Sequence, residues 1–296
     1  MHYSGNTETR DKRFVALTSV LAAVLLTGMK LIVGLLTGSL GILSEALHSG
    51  FDLVAAGMTF FAVKIADKPP DDEHQFGHGK IENLSALGET FLLLLTCVWI
   101  IYEAYLRLSS GRTHIEVTFW SFAVIIVSII IDISRSRALM KTAKKYNSQA
   151  LEADALHFST DILSSVVVLI GLISASFFNY HSADSIAALI VALIVIWISF
   201  RIGKRSIDAL LDRSSVDMKL RIAEVVSLIP EVTHYHNIKL RTAGSITFVE
   251  LNIHVDSLLS IEQAHEISHL VEKNIQSKFK KCEVHIHTEP ESDTER

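Results

Sequence analysis

Cysteine is nearly absent. Only Cys97, inside an apolar run, and Cys282, near the C-terminus, occur in 296 residues, which excludes a disulfide framework and a zinc site built from thiolates. Basic residues are not in excess: 27 Lys and Arg face 32 Asp and Glu, for a net charge of −5. They are scattered, so the chain carries no footprint for nucleic acid. No small-residue cleavage site follows the polar residues 1–13 and the apolar run after them. The chain start therefore reads as a short arm leading into an uncleaved first span, not as a signal peptide.

What the sequence has in abundance is apolar surface. Hydrophobic residues make up 49%, high for a soluble protein of ordinary charge content. The excess falls into runs at about 14–36, 40–66, 84–106, 117–133, 151–178 and 183–202. Each is long enough, or nearly so, to cross a hydrocarbon core of about 30 Å as a helix. An α-helical membrane protein with six transmembrane helices is expected. Arg10, Lys12 and Arg13 precede the first run; Lys64, Lys68 and Lys80 follow the second; Arg135, Arg137, Lys141, Lys144 and Lys145 follow the fourth; Lys204 and Arg205 follow the sixth. The other loops offer only Arg107 and Arg112. The positive-inside rule then places both termini in the cytoplasm.

Two stretches inside these runs echo each other. Glu45-Ala46-Leu47-His48 is followed by Asp52, and Asp154-Ala155-Leu156-His157 by Asp161. On a helix, His and Asp four apart share one face. At membrane depth an imidazole and a carboxylate cost several kcal/mol unless partnered. Two such helices face to face offer two nitrogens and two oxygens, a set suited to tetrahedral Zn²⁺. His48, Asp52, His157 and Asp161 are therefore expected to form one intramembrane metal site of a transporter. Glu45 and Asp154, on the same faces, read as hydrogen-bonding groups around it. Lys30 can snorkel toward the outer headgroups and Asp132 lies near the end of its span. Glu89 and Glu103 read as helix-to-helix hydrogen-bonding groups.

From about residue 209 the pattern becomes that of a soluble domain reaching 290, with a polar tail at 291–296 that reads as disordered. An amphipathic helix at 216–228 stops at Pro230; strands follow at 233–241 and 246–255 around Ala243-Gly244-Ser245; a helix opens at Ser260 and runs to about Phe279; a last strand covers 283–288. The order αββαβ implies a small α+β sheet with helices on one face.

Histidines cluster outside the spans too. Asp71, His74 and His78 lie in a loop whose glycines let the chain close on one metal; the alternative is a solvated loop capping the next helix. In the soluble domain His234 and His236 share a strand face, as do His285 and His287; Asn252 and His254 lie between, and His265 and His269 share a helix face. With Glu289 they suggest a second metal cluster, drawn from His236, His254, His265, His285, His287 and Glu289. His265-Glu266-Ile267-Ser268-His269 also matches the H-E-x-x-H pattern of zinc proteases. A protease needs a third ligand and a cleft, which this small domain has little room to build.

Together the two His-x-x-x-Asp pairs, Gly77-His78-Gly79-Lys80, Leu210-Leu211-Asp212-Arg213 and Ala264-His265-Glu266 resemble the cation diffusion facilitator family. The resemblance implies a homodimeric divalent-metal/proton antiporter, not an enzyme, in the lipid bilayer, with a cytoplasmic domain of metallochaperone-like (ferredoxin-like) fold. It implies a transport site at His48, Asp52, His157 and Asp161, a loop site at Asp71, His74 and His78, a cytoplasmic site including His236, His265, His287 and Glu289, and a Lys80–Asp212 interlock near the dimer interface. Zn²⁺ is the implied cargo and a structural or regulatory ion, with protons as counter-ion. Some bacterial relatives have Asp at the place of His48 and accept more metals, so His48 favours zinc. Where some members have a histidine ligand, this chain has Asn252, with His254 two residues on. Absence of a long His-rich loop between spans four and five favours a bacterial inner membrane. Other readings are a broader Co²⁺, Cd²⁺ or Fe²⁺ exporter, or a membrane metal sensor or scaffold without flux.

Overall fold

The computed structural model describes residues 3–38, 40–110, 119–178, 182–279 and 281–291. Arg112 and the tail 292–296 fall outside them, as do the side chains of Glu103 and Arg107. The chain divides into two units: Met1–Pro69 with Ile81–Ile207, and Pro70–Lys80 with Asp208–Arg296.

The first unit is built on six long helices, α1 (Tyr3–Thr37), α2 (Leu40–Ala66), α3 (Lys80–Ser110), α4 (Phe119–Tyr146), α5 (Gln149–Phe178) and α6 (Ser182–Leu210). Among the described residues Thr7–Thr37, Glu45–Ala66 and Lys80–Leu106 are both long and apolar enough to cross a membrane. Helix α1 packs on α2 and α4, α4 on α5, and α2 on α5. Small side chains permit this: Ala16, Ala23, Ala56, Ala62, Ala143, Ala150 and Ala155 form one buried core with Val63, Leu139, Leu151 and Phe158. Where lipid tails are as apolar as leucine, close backbone approach replaces the hydrophobic driving force. Large side chains such as Leu25, Leu35, Phe91, Trp99 and Trp197 point outward.

Two helices run further than hydropathy suggests. The expected polar arm 1–13 is helical from Tyr3 onward, because Lys12 is buried and its ammonium lies 2.5 Å from Asp67 and 3.2 Å from Glu82. Helix α4 continues past the apolar run ending at 133, since Arg135 and Ser136 are buried with partners. A hydropathy window ends where charge begins; a helix ends only where its backbone or side chains lose partners.

The second unit holds α7 (Val216–Ser227), β1 (His234–Ala243), β2 (Ile246–Val255), α8 (Ile261–Lys278) and β3 (Cys282–Pro290). The Ser215 side chain caps α7, and Ser260 and Gln263 close a reciprocal capping box on α8. Strand β1 pairs antiparallel with β2, and β3 pairs with β2 in parallel, in the order β1-β2-β3. Ile222, Val226, Val249, Leu251, Ile253, Val271 and Ile275 form the core, which puts both helices on one sheet face. The opposite face is left to polar side chains.

Residues 70–80, which the sequence reading leaves with the membrane domain, belong to this second unit. Their contact is specific. The Arg241 guanidinium lies 3.6 Å from the centre of the Phe76 ring, and Phe76 meets Phe248 edge-on at 5.3 Å. Gly79 lies directly on the β1–β2 turn, where Gly244 adopts φ +60°. A Cβ on Gly79 would stand 2.4 Å from the Ala243 carbonyl carbon. Gly79→Ala should therefore unseat the loop at a cost on the order of 1–3 kcal/mol. Hydrogen exchange on the full chain checks this: amides of 70–79 should lose protection, and unchanged protection would show that this packing does not hold the loop.

Candidate metal centres

Helices α2 and α5 bring the two repeated pairs together. His157 Nε2 lies 3.2 Å from Asp52 Oδ1 and 3.6 Å from Asp161 Oδ2, and His48 Nε2 lies 3.8 Å from Asp161 Oδ1. His48, Asp52 and Asp161 each offer an atom within 4.8 Å of the others. His157 joins them by touching both carboxylates. Asp52 and His157 are buried, while the His48 side chain keeps 36% of its exposure. His157 Nδ1 and Asp161 Oδ2 are buried and have no hydrogen-bond partner among the described residues. Two imidazoles and two carboxylates converging with lone pairs to spare could hold a cation, and His48 leaves one side accessible.

The charged groups nearby are arranged differently from expectation. Lys30 does not snorkel: it is 6% exposed, and its ammonium lies 3.2 Å from Glu45 Oε2 and 2.8 Å from Ser49 Oγ. Glu45 and Asp154 flank the cluster without bonding its imidazoles. Glu45 takes Lys30, and Asp154 accepts from Ser19 at 3.1 Å. Arg135 reaches the same Ser19 at 3.1 Å, pairs with Asp132 at 3.3 Å and stacks 3.6 Å over Phe158. Glu89 makes the interhelical bond expected of it, accepting from Thr59. Sequence reasoning missed Lys30, Ser49, Ser19 and Arg135 as participants. The available signal was Lys30 standing in an apolar run within reach of an acid in the next one.

In the loop, Asp71 is the organiser. One of its oxygens accepts from the backbone N–H of Glu73 at 3.1 Å and of His74 at 2.6 Å, and lies 3.1 Å from His74 Nδ1. The other lies 3.3 Å from His78 Nε2. Gly77, at φ +75°, turns the chain so that the two imidazoles lie 4.4 Å apart. His78 is buried and its Nδ1 has no hydrogen-bond partner among the described residues. The donor set fits a divalent ion such as zinc. Lys80 Nζ and Asp212 Oδ1 are paired at 2.8 Å.

The polar sheet face carries two adjacent rows. Register aligns His234 with His254 and Glu289, and His236 with Asn252 and His287. His254 Nε2 lies 3.2 Å, and His236 Nε2 3.9 Å, from Glu289 Oε2. His287 Nε2 lies 3.5 Å from Glu289 Oε1, which also accepts from Asn252 at 2.5 Å. His236, His254 and Glu289 have ligand atoms within 4.8 Å of one another. His265 and His285 are not in this group. His285 stands opposite Glu250, one row away, and His265 belongs to α8, where its ring lies 4.4 Å from His269 beside a cavity of about 500 Å³. The protease pattern gains nothing from this. Among the described residues no third His, Cys, Asp or Glu closes on His265 and His269.

The backbone N–H of His74, and after it the His74 imidazole, hold the Asp71 carboxyl below its ordinary 3.8. Loop order owed to this carboxylate is thus complete above that value and is lost as pH falls through the lower value of the folded loop. The His74 amide should keep its exchange protection from neutral pH down to 3.8 and lose it in stronger acid. Asp71→Ala should remove that protection at every pH; retained protection would show that other contacts order the loop.

Residues 16–211 match the cation efflux transmembrane domain, and residues 217–291 the cytoplasmic domain of cation efflux proteins. An uncharacterised transporter of Methanocaldococcus jannaschii is 35% identical over 260 residues, covering 88% of this chain and 91% of that protein. The cation-efflux pump FieF of Yersinia enterocolitica is 29% identical over 275 residues, covering 92% and 90%. Among solved structures, the metal-bound C-terminal domain of the CzcD transporter from Thermotoga maritima is 33% identical with a TM-score of 0.25, covering 26% of this chain and 92% of that one. The helical unit followed by a small αββαβ domain thus has its counterpart in both matched regions, and the chain belongs to the cation diffusion facilitator family of cation efflux transporters, which are not enzymes.

Proposed function

We propose that the chain exports a divalent cation, zinc before others, in exchange for protons, through the cluster of His48, Asp52, His157 and Asp161. The observation that carries this is the convergence of two imidazoles and two carboxylates from α2 and α5. Two carboxylates balance a doubly charged ion, and two nitrogens favour zinc over purely oxygen-bound metals. Zinc binds neutral imidazole and ionised carboxylate, so loading displaces protons, and protons arriving from the other side compete the ion off. Rocking of α2 and α5 alternates access to a site that binds firmly enough to load and loosely enough to release.

In this reading 14–208 is the membrane domain, 1–13 precedes it on the cytoplasmic side, and 209–290 is a cytoplasmic metal-binding domain. The protein works as a homodimer in a bacterial inner membrane with both termini inside, and Lys80–Asp212 lies near the dimer interface. The cytoplasmic ions at Asp71, His74 and His78 and at His236, His254 and Glu289 regulate. His287 borders the second of these sites, and His265 and His285 enter it only through rearrangement or a second protomer.

Purified protein in vesicles with an imposed pH gradient tests the proposal. Zinc uptake should follow the gradient, and His157→Ala or Asp161→Asn should reduce it on the order of 100-fold or more. Wild-type vesicles without flux would leave a sensor or scaffold. His48→Asp should widen the transported set toward Co²⁺, Cd²⁺ and Fe²⁺; an unchanged metal profile would remove His48 from selectivity.

A further inference from the structure

The four-residue cluster carries a charge count that its surroundings threaten. Asp52 and Asp161 neutralise one divalent ion. Glu45 is a third carboxylate on the same stripe of α2, since positions 45, 48 and 52 recur at the spacing of one helical face. Its side chain is 49% exposed and stands one turn from His48. A third carboxylate would leave the loaded site negative and richer in oxygen, which holds the ion harder and favours oxygen-preferring metals.

Lys30 occupies that carboxylate. Its ammonium, brought in from α1, is buried at 6% exposure and lies 3.2 Å from Glu45 Oε2. It is held from a second direction by Ser49 Oγ at 2.8 Å. Ser49 is itself buried, and its carbonyl accepts from Thr27 of α1 at 2.9 Å. Glu45 and Ser49 bracket His48 one helical turn apart, so Lys30 is fixed beside the cluster with its hydrogen bonds spent on Glu45 and Ser49. A lysine at membrane depth costs several kcal/mol without such partners.

We propose that Lys30 is a positioning residue that keeps Glu45 off the transported ion, so that the site presents two carboxylates instead of three and turns away oxygen-preferring cations such as Mn²⁺. The inference rests on the four-residue site being the transport site. An ordinary interhelical ion pair would also join α1 to α2, but it would have no effect on which metal is carried.

The experiment uses full-length protein in vesicles, with zinc transport, equilibrium zinc binding and competition by Mn²⁺ as readouts. Lys30→Met should tighten zinc binding roughly tenfold, slow turnover by a similar factor and let Mn²⁺ compete, the scale of one added charge in a partly dry site. Adding Glu45→Gln to Lys30→Met should restore zinc turnover and Mn²⁺ exclusion together. Lys30→Arg should retain both. Ser49→Ala loosens Lys30 without changing any charge, and should shift Mn²⁺ competition the same way by a smaller factor even if Lys30→Met fails to fold. Equal impairment of Lys30→Met and Lys30→Met/Glu45→Gln, or Mn²⁺ exclusion unchanged in Lys30→Met and Ser49→Ala, overturns the inference. Asp161→Asn serves as the control on the site itself. Zinc transport surviving it removes the transport-site reading, whereas its loss beside an unaltered metal profile in the Lys30 variants removes only the role of Lys30.

Discussion

Everything in the helical unit answers to one electrostatic constraint: four polar side chains from two helices must stay together in a medium that penalises each of them alone. His157 satisfies it by touching both Asp52 and Asp161. The close packing of α1, α2, α4 and α5 around alanines makes the approach possible, because bulkier interfaces would hold the helices too far apart for imidazole and carboxylate to meet. The second layer is also charged, and each of its members has been given a partner pointing elsewhere. Lys30 takes Glu45, Ser19 takes Asp154, Thr59 takes Glu89 and Arg135 takes Asp132. Each of these outer groups makes at least one such bond, yet Glu89 Oε2, Asp154 Oδ1 and Arg135 Nε, like His157 Nδ1 and Asp161 Oδ2 in the cluster, are buried with no hydrogen-bond partner among the described residues.

The second unit repeats this logic on a sheet. A two-residue period puts chemistry on one face and core on the other, so β2 supplies Leu251 and Ile253 to the helices while Asn252 and His254 face away. Parallel pairing of β3 then brings Glu289 level with His254 and His287 level with Asn252. An irregularity between His236 and Lys239, with Asn237 at φ +54°, lets β1 keep both His234 and His236 on that face while the rest of the strand remains in register.

Much of this was legible in the residue order. The repeated His-x-x-x-Asp pairs announced the cluster because helix periodicity converts a spacing of four into a shared face. The αββαβ order followed from capping residues, Pro230 and the alternation of strands. Reading depth alone misplaced Lys30: hydropathy assigns a lysine to the nearest water, and its real partners, Glu45 and Ser49, lie in another run. That His265 and His285 stand apart from the sheet cluster was hidden for a similar reason. Histidine count and strand parity do not specify strand register or the face on which α8 packs, and those decide which rings meet Glu289. The contact of Phe76 with Arg241 and Phe248 had no local signature, because it joins segments far apart in the chain.

That contact has a consequence for how the protein is made. Phe76 leaves the ribosome 165 residues ahead of Arg241, which at about 5–20 residues per second is a delay of roughly 8–33 s. During that interval the loop carrying Asp71, His74 and His78 has no hairpin to lie against, and an aromatic ring destined for a guanidinium stack stays in water. The loop is thus an early segment waiting for a late one: the core under the sheet is built from residues after Val216 alone, and shortening the nascent chain anywhere before the β1–β2 turn leaves the loop without the surface it packs on.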